Sequence, residues 1–196
     1  MKNYPKIDLV VPLYNKKKHI NRCIDSALNQ SVKFNKILIV NDGSTDQVEK
    51  ILKNYSLKYN NIEIINQSNK GVSIARNIGI KNSSSDYVVF LDADDVLNHY
   101  YLHEICRLIE FNKNIKVFST KHKNVIKNSK HGRYIEKKSN LKISRNSLLN
   151  IFFDKRIICA SGICLSKKII NDKIFPENVA MGEDIYVWEK ILLKEH

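Results

Sequence analysis

No apolar run in this sequence reaches the roughly 20 residues that a bilayer-spanning helix needs, which argues against a helical membrane span. The opening Met1-Lys2-Asn3-Tyr4-Pro5-Lys6-Ile7-Asp8 carries no signal-peptide hydrophobic stretch and runs straight into a strand-like segment, so the chain is expected to stay in the cytoplasm. Internal repeats and low-complexity linkers are missing as well. Cysteine is scarce: Cys23, Cys106, Cys159 and Cys164 lie far apart or at spacings unlike metal knuckles. They are expected to be reduced core residues, in keeping with that compartment. Neither a G-x-G-x-x-G fingerprint nor a Walker loop occurs, which weakens dehydrogenase and kinase readings. Acids are outnumbered, 20 against 33 Lys and Arg, for a formal net charge of +13.

What is present is ordinary globular composition: 43% hydrophobic and 27% charged residues in 196, enough for one domain with a real core. The excess charge is concentrated. Between Lys113 and Lys142 stand Lys113, Lys116, Lys121, Lys123, Lys127, Lys130, Arg133, Lys137, Lys138 and Lys142, with Glu136 as the only acid. Such a stretch suits an anionic partner: a phospholipid surface, a lipid-linked phosphate acceptor or nucleic acid. A solvated face is the plain alternative. Only Phe118 and Tyr134 interleave it with aromatics, which counts against single-strand stacking, so nucleic acid is not the expected partner.

The first half alternates β-rich runs with helical patterns. Strands are expected at Ile7–Pro12, Lys36–Val40, Ile62–Ile65 and Tyr87–Leu91. Helices are expected from about Lys17 to Gln30, from a Ser44/Gln47 capping box to about Tyr59, and from Gly71 to Ile80. That alternation implies βαβ units and a mainly parallel sheet covered on both faces. After Asp95 the rhythm changes, to a helix from about Asn98 to Phe111 and the run Ile115–Thr120. A basic, loop-rich stretch follows to about Ser144. A helix near Ser144–Phe153, the run Ile157–Leu165 and a final helix from about Glu183 complete the chain. The change marks two halves of one domain over 1–196.

In an open parallel sheet, ligands sit beyond the carboxyl ends of the strands. Here those ends are polar. They read Pro12-Leu13-Tyr14-Asn15, Asn41-Asp42-Gly43-Ser44-Thr45-Asp46 and Asp92-Ala93-Asp94-Asp95, and they are expected to converge on one crevice. Three carboxylates within four residues repel one another and want a cation; hard oxygen ligands at a diphosphate suit Mg²⁺ or Mn²⁺. Helix capping by some of these acids is the plainer use. Gly43 serves a tight turn and Ser44 a cap, which leaves Asp42 without an evident structural task. Its carboxylate suits a base N–H or a ribose hydroxyl, or it is a simple turn acid.

Taken in order, Val10–Asn15, Asn41–Asp46, Gly71–Gly79, Leu91–Asp95 and Gly182-Glu183-Asp184 resemble the family 2 (GT-A fold) glycosyltransferases, with a likeness covering about residues 6–190. The resemblance implies a Rossmann-like α/β fold with a nucleotide-sugar-binding half (1–95) and an acceptor half (96–196). Pro12, Tyr14 and Asn15 would line the nucleoside pocket, Asp42 would contact the base, and Arg76 would help hold the nucleotide end of the donor. Asp92 would touch ribose or metal, and Asp94 would ligate the metal. Asp184 would be the catalytic base, since the attacking hydroxyl must lose its proton to a positioned carboxylate. Without the other motifs, Glu183-Asp184 would read as acids favouring a helix N-terminus.

The Q-x-x-R-W motif of processive synthases is absent, and the chain ends at His196, twelve positions past Asp184, where many relatives continue. A shortened acceptor half is therefore an expectation, and a nucleotide-sugar-binding protein without turnover is the alternative. The leading expectation is an inverting, non-processive enzyme. It would pass a sugar from a UDP-sugar to a surface glycan or lipid-linked saccharide, in peripheral contact with the inner face of the membrane.

Overall fold

A computed structural model describes residues 4–119, 160–177, 179 and 182–194. Its centre is β1 (Ile7–Leu13), every residue of which is buried. A strand covered on both faces must be apolar on both, and here the alternation sorts side chains between two cores. Leu9, Val11 and Leu13 point into one, and Val10 points into the other. β2 (Lys36–Asp42) and β4 (Tyr87–Phe90) flank β1, both parallel to it, and β3 (Ile62–Gln67) extends the sheet beyond β2. β6 (Ile163–Ser166) then adds antiparallel to β4, and β5 (Val117–Ser119) closes the far edge, for an order β3-β2-β1-β4-β6-β5.

Helices α1 (Lys17–Leu28) and α4 (Tyr101–Phe111) place Ile20, Cys23, Ile24, Leu102, Ile105 and Cys106 on one face of the sheet, joined by Leu52 of α2 (Glu49–Lys58). On the opposite face α3 (Val72–Asn82) contributes Ile80, and α5 (Glu183–Lys194) contributes Val187, Trp188 and Ile191. The mainly parallel sheet with helices on both faces agrees with the expected α/β class. The chain steps outward from β1 through β2 to β3, and α3 then carries it back to β4 on the other side of β1. That reversal makes the carboxyl ends of β1 and β4 a topological switch point, where an open sheet leaves a crevice.

Two local expectations fail for identifiable reasons. α2 starts at Glu49 rather than at Ser44, because the Ser44 hydroxyl is taken by the Asn15 N–H at 3.1 Å and Gln47 sits at φ +61°. α4 starts at Tyr101, three residues late, because Asn98 folds into a turn that accepts the Tyr100 and Tyr101 N–H groups. Cys23, Cys106 and Cys164 are free and buried, as expected; Cys159 lies outside the described residues. So do the helix expected near Ser144–Phe153 and the basic stretch from residue 120 onward. No helix among the described residues is long and apolar enough to cross a membrane.

Candidate functional site

The switch point opens into a cavity of about 570 Å³ lined by strand ends and by α3. Pro12, Leu13, Tyr14 and Lys16 come from the end of β1, Asp42 from β2, and Asp92, Ala93 and Asp94 from the segment after β4. Asn69, Gly71, Val72, Ala75 and Arg76 form the α3 wall, and Glu183 arrives from the start of α5. Of the eight residues expected at the site, six therefore share one cavity: Pro12, Tyr14, Asp42, Arg76, Asp92 and Asp94. Asn15 and Asp184 are not among its lining residues.

Asn15 is occupied elsewhere. At φ +52° its Oδ1 accepts the Thr45 N–H at 2.7 Å, while its own N–H donates to Ser44. It latches the β1 loop to the β2 loop and so shapes the cavity wall from behind. Asp42 likewise has structural work that local patterning did not show. Its Oδ1 accepts from the Lys70 N–H at 2.8 Å and from Gln67, and its Oδ2 from the Gly71 N–H at 2.9 Å. The carboxylate thus fixes the turn that launches α3. Gly43 makes this close approach feasible: it sits at φ +69°, and a Cβ there would lie 2.7 Å from the Asn69 nitrogen.

Arg76 is the electrostatic hub. Only 3% exposed, it donates from one amino group to Asp92 Oδ1 at 2.9 Å and from the other to Glu183 Oε1 at 2.8 Å. Its guanidinium lies 5.3 Å from the centre of the Phe175 ring. Burial alone would lower its pKa, but the two carboxylates outweigh that and push it up, so the charge is permanent. Glu183 lines the cavity, and the sequence pattern alone did not separate it from its neighbour Asp184. Both acids stand at a helix start, and only the 107-residue-distant partner distinguishes them. Asp184 is partly exposed, and its Oδ1 accepts the Ile185 N–H at 2.8 Å.

Asp94 faces a cation from its own chain: Lys16 Nζ lies 2.6 Å from Oδ2. Burial would raise the Asp94 carboxyl, but the Lys16 hydrogen bond and charge outweigh it and hold it below the usual carboxylate range. Arg22 donates to the Asp94 carbonyl at 2.9 Å, and Ser161 accepts the Asp92 N–H at 2.9 Å. The loop that presents the carboxylates is therefore anchored at its backbone. Asp92 gives Oδ1 to Arg76 and Asp94 gives Oδ2 to Lys16, and both residues line the cavity. Two carboxylates, with waters and substrate oxygens, suit a divalent cation of the Mg²⁺ or Mn²⁺ kind. Among the described residues no cluster of three or more His, Cys, Asp or Glu forms an all-protein cage.

A parallel sheet with a switch-point cavity, acids on the β4 loop and an arginine on the crossover helix is the arrangement of a GT-A fold. The family model for glycosyl transferase family 2 matches residues 8–175, and the chain belongs to that family. It is 30% identical over 190 residues to an uncharacterized glycosyltransferase of Rickettsia bellii (strain RML369-C), covering 95% of this chain and 26% of that protein. It is 31% identical over 188 residues to the minor teichoic acid biosynthesis protein GgaB of Bacillus subtilis (strain 168), covering 90% of this chain and 20% of that one. Among solved structures it resembles S. aureus TarS 1-349 in complex with UDP, with a TM-score of 0.76 at 25% identity, over 96% of this chain and 55% of that chain. The chain thus spans about a quarter of the Rickettsia protein and about half of the TarS chain.

Proposed function

We propose that the chain is the donor-binding and catalytic domain of an inverting glycosyltransferase that moves a sugar from a UDP-sugar to an acceptor hydroxyl. The observation that carries this reading is the meeting of Asp42, Arg76, Asp92, Asp94 and Glu183 on one switch-point cavity in a family 2 fold. TarS 1-349, whose fold the chain shares, has been solved with UDP and with UDP-GlcNAc, which supports a uridine donor. Residues 1–95 would bind the nucleotide-sugar and 96–196 the acceptor.

In this reading Pro12 and Tyr14 give the nucleoside an apolar and aromatic wall, with Asn15 holding that wall in place. Asp42, already fixed by two backbone N–H groups, presents its remaining lone pairs to the base. Arg76 fixes Asp92 toward the ribose. Asp94, with Asp92, would hold Mn²⁺ or Mg²⁺, whose charge offsets the negative charge that develops on the departing diphosphate. Asp184 takes the proton of the acceptor hydroxyl as its oxygen bonds to the anomeric carbon and the bond to the nucleoside diphosphate breaks on the opposite side. Glu183 is the weaker candidate for this task because its Oε1 is engaged by Arg76.

The similarity to a teichoic acid biosynthesis protein supports a surface glycan or lipid-linked acceptor. The Lys113–Lys142 charge supports peripheral contact with anionic lipid at the inner membrane face. A screen of nucleotide-sugars with Mn²⁺, read by nucleoside diphosphate release and thermal shift, tests the proposal. Stabilisation and release by a UDP-sugar are expected. Stabilisation with no release under any acceptor would favour a binding protein, and no response to any nucleotide would reject the site.

A further inference from the structure

Lys16 is a charged cavity residue to which donor binding and catalysis, as set out above, give no role. It lines the same cavity as Asp92 and Asp94, and its ammonium lies 2.6 Å from Asp94 Oδ2. Its backbone is fixed: the Lys16 carbonyl accepts the His19 and Ile20 N–H groups at the start of α1, and the next N–H is held by Asp46 at 2.7 Å. The side chain is not fixed, since lysine and aspartate are 43% and 41% exposed. An exposed pair of this kind is weak and exchangeable. Meanwhile Arg22 grips the Asp94 carbonyl, so the loop keeps its place when the carboxylate changes partner.

From this geometry, and resting on the assignment of Asp94 to a divalent cation, we propose that Lys16 is an intramolecular rival of that cation. It holds Asp94 Oδ2, yields it when metal and nucleoside diphosphate arrive together, and then pairs with the diphosphate. A lysine suits both states, being a compact point charge on a long flexible stem. The consequence is coupling. Metal alone must displace an ammonium and then sit beside it, whereas metal with diphosphate gives that ammonium an anion to move to. Lys16 therefore discourages occupation by metal without substrate.

The test measures Mn²⁺ binding to the intact protein by electron paramagnetic resonance of the free ion, without nucleotide, and UDP binding by calorimetry at saturating Mn²⁺. Lys16→Met is expected to bind Mn²⁺ roughly fivefold tighter, the scale an exposed ion pair supports, and UDP severalfold more weakly. Lys16→Arg, which keeps the charge, is expected to restore parent-like behaviour in both assays. Unchanged or weaker Mn²⁺ binding in Lys16→Met overturns the proposal while leaving the metal assignment intact. A parent protein that binds no Mn²⁺, or binds it equally well after Asp94→Asn, overturns the metal assignment and this inference with it.

Discussion

At the amino end of β1, opposite the cavity, Asp8 is fully buried and accepts from the side chains of Asn35, Ser83 and Ser85 and from the N–H groups of Lys36, Ser84 and Ser85. Burial raises its carboxyl, but the Asn35, Ser85 and Ser83 hydrogen bonds outweigh it and hold it below the usual carboxylate range. A carboxyl depressed on folding stabilises the protein above its unfolded pKa, and that contribution is lost as pH falls through the lower folded value. Asp8→Asn should therefore cost about 3 kcal/mol at pH 7, since buried donors lose an ionic acceptor. In melts from pH 7 to pH 3 the gap to the parent should close at the acid end; a constant gap would refute the carboxylate's role.

At the cavity end, Asp184→Asn and Asp94→Asn should fail differently. Asp184→Asn should keep UDP affinity and lose transfer by about 10²–10⁴-fold, the usual share of a general base. Asp94→Asn should weaken Mn²⁺-dependent UDP binding as well as turnover. Transfer at the parent rate in Asp184→Asn would return that residue to a helix-terminal role.

The element that ties site to scaffold is α3. It packs on β1 through Gly79, where a Cβ would lie 2.2 Å from Val10 Cγ1, and it carries Arg76 three residues earlier. Gly79→Ala should lift the helix off the strand at a cost of about 1–3 kcal/mol, the range for overpacking a dense core. UDP affinity should fall with it, because Arg76 moves too. Adding Val10→Ala should recover much of both losses in melts and calorimetry; no recovery would place the damage elsewhere. Helix α5 is attached at the same point, since Glu183 at its start binds Arg76. One buried guanidinium thus joins the crossover helix, the β4 loop and the last described helix.

For the molecule as a whole, UDP should bind measurably only with a divalent cation, because diphosphate and the Asp92/Asp94 pair are both anionic. Equal calorimetric affinity in Mn²⁺ and in EDTA would remove the metal from the proposed function. The net charge of +13 should also act at the membrane. Sedimentation with anionic but not neutral vesicles is expected, at roughly 1 kcal/mol per well-placed basic residue, and salt should weaken it. Replacing Lys121, Lys123, Lys127 and Lys130 by Glu should abolish it; unchanged binding would reassign the surface.

Most of the fold was legible locally. Apolar runs between helical patterns announced the parallel sheet, because a strand buried on both faces must be largely apolar, and Leu9–Val11 and Ile37–Val40 are continuously so. The polar strand ends announced the crevice for a similar reason, since nothing in a core needs Asp92 and Asp94 there. Tertiary structure decided what depends on partners far along the chain. It set β6 antiparallel beside β4 and moved the start of α2 from Ser44 to Glu49. It gave Asn15 to Thr45 rather than to the cavity. It also chose Glu183 over Asp184 as the acid that lines the site. Spacing and composition are properties of neighbours, whereas the Arg76–Glu183 pair forms only after the sheet has brought residues 107 positions apart within 2.8 Å.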